Sequence, residues 1–182
     1  SQNLKFIISE GKKTKIRKII FKGNEIFSNS KLAHQFKENK SWKWYLPWRG
    51  AWKEELFKND KDLLMTYYKN KGYRDFYIVD ENIDLSKSGK GYEITLTIYE
   101  GPQYKINDIT WEGNFIHNDE ELANILGFKK GDLFEDEIFQ MAVSEKVSSL
   151  YSDKGYFYFQ INPIYTPVGK DSLNVHFDII EN

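Results

Sequence analysis

The strongest constraint on how this chain folds is an internal repeat, because the same landmarks occur twice and in the same order. Three pairs of segments match: residues 16–24 (IRKIIFKGN) with 106–114 (INDITWEGN), 68–73 (YKNKGY) with 151–156 (YSDKGY), and 94–100 (ITLTIYE) with 175–181 (VHFDIIE). The first copy is seven residues longer between its first and second landmarks. Two copies in series predict two similar units rather than one larger domain.

The closing strand of the repeat occurs a third time at the start of the chain, where residues 4–10 alternate in the same way. We interpret residues 1–11 as the end of a preceding unit, 12–101 as one complete unit and 102–182 as a second. The chain begins with neither Met nor a signal peptide, so we expect it to be a segment of a longer protein.

Each copy shows the same order of predicted elements, β-α-α-β-β. The predicted strands are 15–22, 76–85 and 91–100 in the first unit, and 105–112, 157–166 and 172–181 in the second. The first helices are predicted at 31–38 and 119–126, the latter with Asn118 as N-cap, Glu121 completing a capping box and Gly127 at its end. The second helices are predicted to bury Leu56, Leu63, Leu64 and Tyr67 in the first unit, and Phe139, Val143, Val147, Leu150 and Tyr151 in the second. We therefore expect an α+β fold of tandem units, each a three-stranded mixed sheet with two helices on one face.

The composition is that of a globular chain, and it excludes several classes of protein. The 26 Lys and Arg and 27 Asp and Glu leave a net charge of −1, whereas a nucleic-acid module carries a strong basic excess. The absence of Cys excludes disulfides, Cys-ligated zinc and thiol catalysis. No apolar run reaches the ~20 residues of a membrane-spanning helix. Aromatic residues are abundant, at 16%, so they either fill small cores or provide contact surface.

Four of the five Trp residues lie in one short segment of the first copy, which we call the insertion (residues 37–53). It contains Trp42, Trp44, Tyr45, Trp48 and Trp52, together with five basic residues and one acidic residue. We predict a docking patch for an accessory subunit, or a surface near lipid head groups. The alternative is that the rings fold back over the helices and extend a thin core. A basic aromatic segment also suits single-stranded nucleic acid, but the net charge of the chain disfavours that partner.

The layout and the landmark residues resemble those of POTRA domains, the polypeptide-transport-associated modules of outer-membrane β-barrel assembly factors of the BamA family. The resemblance rests on the Ile-x-x-Ile-x-Phe/Trp-x-Gly-Asn strand, the Tyr-x-x-x-Gly-Tyr helix end and the closing strand that ends in Glu-Gly, and it covers essentially the whole chain. The second copy departs from it by ending in Glu181-Asn182. The Trp-rich insertion resembles that of Bacteroidetes-type members, which suggests inner units such as the third and fourth of five.

The resemblance implies a periplasmic arm of an outer-membrane protein, preceding a C-terminal membrane barrel of the same chain. The implied partners are unfolded outer-membrane β-barrel proteins, accessory assembly lipoproteins and periplasmic chaperones, and no cofactor is implied. The alternative is a POTRA segment of a related outer-membrane translocation or secretion transporter, although the prediction of at least three units argues against transporters with two.

A three-stranded sheet has two open edges, and an edge strand offers unpaired backbone groups to an incoming extended segment. The family topology places the strand that is second in sequence at an edge. The candidate partner-binding residues are therefore Phe76, Tyr77, Ile78 and Val79 in the first unit, and Phe159, Gln160 and Ile161 in the second. The alternative is that charges such as Asp75 and Asp80 protect the edge and that nothing binds there.

We predict neither an active site nor a metal site in this chain. The histidines His34, His117 and His176 lie at unrelated positions of the repeat, and none has a partner spaced for a metal pair. We expect His34 and His117 to be exposed, and His176 to point away from the apolar face of its strand. A hydrolase or transferase fragment is the competing class, and it is disfavoured because no polar constellation recurs in the two copies.

Overall fold

The computed structural model describes residues 14–41, 43, 45, 46 and 50–182. The proposed end of a preceding unit (1–11) and the side chains of Trp42, Trp44 and Trp48 therefore lie outside the described residues. The described chain contains two three-stranded sheets that follow one another in sequence, each with its own helices. This arrangement confirms the predicted α+β fold class.

The two units contain the same elements in the same order. The first unit has β1 (Ile16–Lys22), α1 (Asn29–Gln35), α2 (Glu54–Lys69), β2 (Tyr77–Leu85) and β3 (Tyr92–Tyr99). The second has β4 (Lys105–Glu112), α3 (Asp119–Leu126), α4 (Asp136–Met141), a π-helical segment (Ala142–Val147), α5 (Ser148–Ser152), β5 (Gln160–Val168) and β6 (Ser172–Ile180). The helices α4 and α5 and the π segment are continuous and together occupy the place of α2.

The closing strand of each unit lies at the centre of its sheet. The strand order is β1-β3-β2 in the first unit and β4-β6-β5 in the second. The central strand pairs in parallel with the first strand and antiparallel with the second, so both sheets are mixed. This topology places β2 and β5 at sheet edges.

Each unit has its own hydrophobic core, built where the central strand packs against the helices. In the first unit this core includes Leu32, Phe57, Leu64, Tyr68, Ile94, Leu96 and Ile98. In the second it includes Leu122, Leu126, Phe139, Val147, Tyr151, Val175 and Phe177. Large aromatic side chains thus fill much of the core of each small unit.

The predicted helix ends and faces are only partly correct. The capping box of α3 is present as predicted, with the Asn118 side chain accepting from the backbone N–H of Glu121, and Gly127 ends the helix with a positive φ. The helix α1 begins earlier than predicted because Ser28 caps it. The predicted buried face of α2 is correct at Leu64, but the other buried residues are Phe57, Asp60 and Tyr68 rather than Leu56, Leu63 and Tyr67.

The π-helical segment accommodates one extra residue in the second unit. Trp52 and Phe134 occupy equivalent positions, because each donates its N–H across to the start of the first strand, to Thr14 O and Tyr104 O respectively. Each ring also packs 5.0 Å from an aromatic ring of the following helix, Phe57 or Phe139. The second unit has one residue more than the first between these positions and the end of the helix. Such an insertion is absorbed by a wider turn, which is what the π segment provides.

The two units are joined by direct contacts as well as by the chain. The backbone N–H of Tyr104 donates to Gly72 O at 2.8 Å, and its hydroxyl donates to Asp75 at 2.8 Å. That hydrogen bond raises the pKa of Tyr104. The guanidinium of Arg74 lies 4.3 Å from the centre of the Tyr165 ring in the second unit, a cation–π contact. The turn after α2 therefore docks on the second unit.

Candidate docking site at the edge strand

The edge strand β2 is the most accessible regular element of the first unit. Within the part of the chain that the structure describes, β2 pairs only with β3, so its outer edge has no strand beside it. Tyr77 and Val79 are more than half exposed, at 53% and 55%. The pairing register shifts between Ile78 and Asp80, which makes Val79 a β-bulge. The bulge divides the edge into a short start and a regular stretch that runs from Asp80 to Leu85.

The prediction that Phe76 belongs to the exposed edge row is wrong. Phe76 precedes β2, and its ring is buried and stacked on Tyr68 with 4.0 Å between the ring centres. Its N–H donates to Tyr73 O at 3.2 Å, so this backbone group is already paired. Tyr77, Ile78 and Val79 do lie in the edge strand, with Ile78 half-buried against the core.

An open groove of about 660 Å³ lies between α2 and the first half of β2. Its lining residues come from the outer face of the helix and from the strand: Lys58, Lys61, Asp62, Met65, Tyr77, Ile78, Val79, Asp80 and Glu81. An extended segment added to the edge of β2 would place alternate side chains toward this groove, because side chains of a strand alternate between faces.

The groove is crossed by one ion pair and carries charges of both signs. The Lys61 Nζ lies 2.5 Å from Glu81 Oε2, and the same ammonium lies 4.9 Å from the centre of the Phe57 ring. Asp80 and Asp84 add negative charge along the exposed part of the strand. Charges on an edge strand discourage indiscriminate pairing with other sheets.

The edge strand of the second unit is less suited to docking. Phe159 precedes β5 and stacks on Tyr151 at 4.1 Å between ring centres, while Gln160 and Ile161 begin the strand. Further along, Pro163 and Pro167 lack an N–H, and proline in a sheet lies where that missing donor faces away from the neighbouring strand. Because the two prolines are four residues apart, they remove donors from the same outer edge.

The carboxylate of Glu100 fixes the C-terminal end of α2. Glu100 is buried and accepts from the backbone N–H groups of Glu25 at 2.7 Å and Ile26 at 3.0 Å. Its second oxygen accepts from the Tyr68 hydroxyl at 2.6 Å. Burial, together with this bond, raises the pKa of Tyr68. One side chain thus links the loop after β1, the end of the central strand and the end of α2.

The second unit repeats this arrangement with one change. Glu181 accepts from the backbone N–H groups of Phe115 and Ile116, and burial together with the nearby Glu181 carboxylate raises the pKa of Tyr151. The prediction that His117 is exposed is wrong, since it is only 4% exposed and packs edge-on against Tyr151. His117 takes the place that Phe27 holds beside Tyr68 in the first unit. Its Nδ1 lies 3.2 Å from Glu121, which lowers the pKa of that carboxyl group.

A buried carboxylate that the sequence reading missed anchors the insertion. Asp60, on the buried face of α2, accepts from the backbone N–H groups of Lys37, Glu38 and Asn39 at 2.7–3.0 Å. It also accepts from the Asn39 side-chain amide at 2.9 Å, and that amide oxygen accepts from Lys53 N at 2.8 Å. The two ends of the insertion are therefore tied to one another and to α2.

The structure places Trp52 as the alternative for these rings predicts: it is partly buried, and its ring packs against the core between Phe57 and Tyr92. Although Trp52 lies within residues 37–53, it is the counterpart of Phe134 and so has an equivalent in the second unit. Tyr45 is 57% exposed and remains a surface residue of the insertion. The other three rings of the predicted patch lie outside the described residues.

Neither a metal-binding group nor a membrane-spanning helix is found among the described residues. His34 is exposed, and His176 lies on the polar face of β6 with its Nδ1 2.9 Å from the Thr110 hydroxyl. Among residues 14–41, 43, 45, 46 and 50–182, no group of three or more His, Asp or Glu is placed to hold a metal ion. No helix among these residues has both the length and the apolarity needed to cross a membrane.

Comparison with known proteins places this repeat of small α+β units in a family. The model of the POTRA family, described as a surface antigen variable number repeat, matches residues 14–101 and again residues 104–182. The chain belongs to the POTRA family.

The similar curated proteins are much longer than this chain. The outer membrane protein assembly factor BamA of Neisseria meningitidis is 31% identical over 159 residues, which cover 85% of this chain and 20% of that protein. A putative outer membrane protein assembly factor of Treponema pallidum is 30% identical over 84% of this chain and 18% of its own length. The chain therefore spans about a fifth of the curated relatives that it matches.

Two solved structures share the fold of both units. The crystal structure of Haemophilus influenzae BamA POTRA3-5 superposes with a TM-score of 0.69 at 21% identity, covering 93% of this chain and 66% of that one. BamA from Haemophilus ducreyi lacking POTRA domains 1–3 gives a TM-score of 0.61 at 15% identity, covering 93% and 29%.

Proposed function

We propose that this chain is a periplasmic segment of an outer-membrane β-barrel assembly factor, and that it is a non-catalytic scaffold. It docks unfolded outer-membrane proteins by β-augmentation, and its surfaces receive accessory lipoproteins and periplasmic chaperones, ahead of a C-terminal membrane barrel in the same chain. The match to the POTRA family over both units and the names of the similar proteins support this proposal. Those names favour an assembly factor over a secretion transporter.

The docking proposal rests on one observation: the outer edge of β2, beside the groove, has no strand paired with it in the described part of the chain. The strand β2 contains no proline, so each of its residues has a backbone N–H. The groove beside it is lined by both apolar and charged residues. Backbone pairing is nearly indifferent to side-chain identity, which suits a receptor for many β-rich clients. The stretch that begins at Asp80, beyond the bulge, offers the longest regular ladder for an incoming strand.

The second proposed surface is the insertion, which we assign to an accessory lipoprotein. The buried Asp60 and Asn39 network holds both ends of the insertion in place. Tyr45 is exposed on it, and tyrosine is a residue type enriched in protein interfaces.

Binding of an extended peptide to β2 is expected to be weak and to depend on the peptide backbone. We expect a synthetic ten-residue peptide of alternating polar and apolar residues to shift the amide signals of β2 in a nuclear magnetic resonance titration. The dissociation constant should be about 1 mM, since one added strand buries less area than a stable interface requires. The same peptide N-methylated at alternate residues should cause no shifts, because it cannot form the ladder.

A crosslinking experiment in cells tests the same surface on natural partners. Photocrosslinking residues at Tyr77 and Val79 should capture outer-membrane clients, whereas one at Ile138 should not, although it is equally exposed at 52%. Equal capture at all three positions, or shifts of the β2 amides with the N-methylated peptide that match those of the unmodified peptide, would contradict docking by strand addition.

A further inference from the structure

The contact between the two units is made by a short turn that the repeat contains twice. In the first unit this turn follows α2 and touches the second unit through Asn70, Gly72, Arg74 and Asp75. Asn70 Oδ1 accepts from the backbone N–H of Glu137, in the first turn of α4, at 3.1 Å. The contact therefore combines hydrogen bonds with a cation–π contact. The hydrogen bonds involve the start of a helix, a backbone carbonyl and a tyrosine hydroxyl.

The second unit folds the same turn with the same helix-end hydrogen bond, and its Gly155 O also accepts from the N–H of Phe157 at 3.1 Å. The N–H of Tyr73 donates to Tyr68 O at 3.0 Å, and the N–H of Tyr156 donates to Tyr151 O at 3.1 Å. The glycines Gly72 and Gly155 have φ values of 82° and 89°. The aromatic residue after each turn stacks on the same helix tyrosine, as Phe76 does on Tyr68 and Phe159 does on Tyr151. The two turns can therefore be compared residue by residue.

At two adjacent positions of this turn, the second unit has aromatic residues where the first unit has charged residues. Phe157 and Tyr158 occupy the positions of Arg74 and Asp75, and they are 78% and 79% exposed. Exposing two large neighbouring rings to water is unfavourable, and such patches mark interaction sites. The charges that contact the next unit in the first copy are thus replaced by apolar contact area.

The backbone around these rings keeps the features that the first turn uses for docking. A Cβ added at Gly72 would lie 2.7 Å from Leu133 of the second unit, whereas one added at Gly155 meets no atom within 4 Å. Asp153 is the counterpart of Asn70, whose side chain accepts from the backbone N–H of Glu137 at the start of α4. A carboxylate is favoured at the N-terminus of a helix, so Asp153 suits the same kind of contact.

We propose that Asp153, Gly155, Phe157 and Tyr158 form a docking surface, the distal turn, for a further β-α-α-β-β unit that follows residue 182 in the full-length protein. Gly155 O accepts a backbone N–H of that unit, and Asp153 accepts from its second helix. The two rings pack on apolar side chains that stand in the places of Tyr104 and Tyr165. This inference rests on the proposed function only in requiring a longer chain of units, and not on client docking at β2.

Hydrogen exchange on a chain extended through the segment after residue 182 tests the distal turn. Amides 155–160 should exchange at least about tenfold more slowly in the extended chain than in the 182-residue chain, because docking shields the turn. The double variant Phe157→Ser, Tyr158→Ser should lose this protection. The same variant should leave the unfolding midpoint of the 182-residue chain unchanged, since both rings are exposed there.

The matched control is Phe115→Ser, which removes another exposed ring from the same end of the second unit. Its counterpart in the first unit, Glu25, makes no hydrogen bond to the second unit in the described part of the chain. Protection of amides 155–160 should therefore survive this substitution. Equal protection in the extended and 182-residue chains, equal loss in both variants, or a following segment without this fold would overturn the proposal. The peptide titration of β2 uses the 182-residue chain, so its outcome is independent of these results.

Discussion

Replacing Asp60 by Ala should lower the free energy of unfolding of the first unit by about 4 kcal/mol, one of the largest effects of any single substitution in this chain. Asp60 is fully buried and accepts three backbone N–H groups and one side-chain amide. Alanine leaves all four donors without an acceptor in an interior where water is largely excluded. Native-state hydrogen exchange of the β1 and β3 amides measures the loss within the first unit.

Two further substitutions separate this network from simple loss of charge or volume. Asp60→Asn keeps the size and one acceptor oxygen, so it should lose about 2 kcal/mol. Asp62→Ala removes an exposed carboxylate from the same helix and should change stability by less than about 0.5 kcal/mol. If Asp60→Ala cost no more than Asp62→Ala, the insertion would not depend on this anchor.

Asp60 also shows why the sequence indicated the fold more completely than the site. An acidic residue within a helix is expected at the surface, because burying an unpaired charge is costly. The spacing of Phe57, Asp60, Leu64 and Tyr68 was a usable signal, since it places the aspartate on the apolar face. The donors that make its burial favourable lie about 20 residues earlier in the chain, where no local pattern reveals them.

Comparing the two copies shows which unit needs the buried carboxylate. Three residues after Phe139 in the second unit stands Ala142, which is buried at the position equivalent to Asp60. The carboxylate is therefore present where the insertion is present and absent where it is not. The sequence repeat alone had assigned Trp52 to the insertion, and only its bond to Thr14 O identified it as the counterpart of Phe134.

The strands were predicted well at the centre of each sheet and less well at the edges. The alternation of Ile94, Leu96 and Ile98 is unambiguous because the central strand is buried on the helix face. The start of each edge strand was placed too early, since Phe76 and Phe159 continue the alternation but stack on helix tyrosines instead of entering the sheet. The bulge at Val79 depends on pairing register, which no single-strand pattern encodes.

Replacing Gly113 by Ala should cost the second unit about 3–5 kcal/mol of unfolding free energy. Gly113 follows β4 with a φ of 83°, a backbone conformation that costs other residues about 1–2 kcal/mol. An added Cβ would lie 2.0 Å from the backbone oxygen of Ile179 in β6, so the parallel pair of strands would have to separate at its end. Faster native-state exchange of the β4 and β6 amides measures this loss directly.

The control is Gly131→Ala, because Gly131 has a similar φ of 90° but no atom within 4 Å of an added Cβ. It should lose only the conformational cost of about 1–2 kcal/mol. A difference between the two variants isolates the close approach of the strands from the backbone conformation. Gly23 in the first unit has the same φ of 83° and a Cβ distance of 2.3 Å to the oxygen of Ile98, so Gly23→Ala should reproduce the larger loss there. Equal losses at Gly113 and Gly131 would mean that positive φ alone, and not strand contact, requires glycine at the end of the first strand.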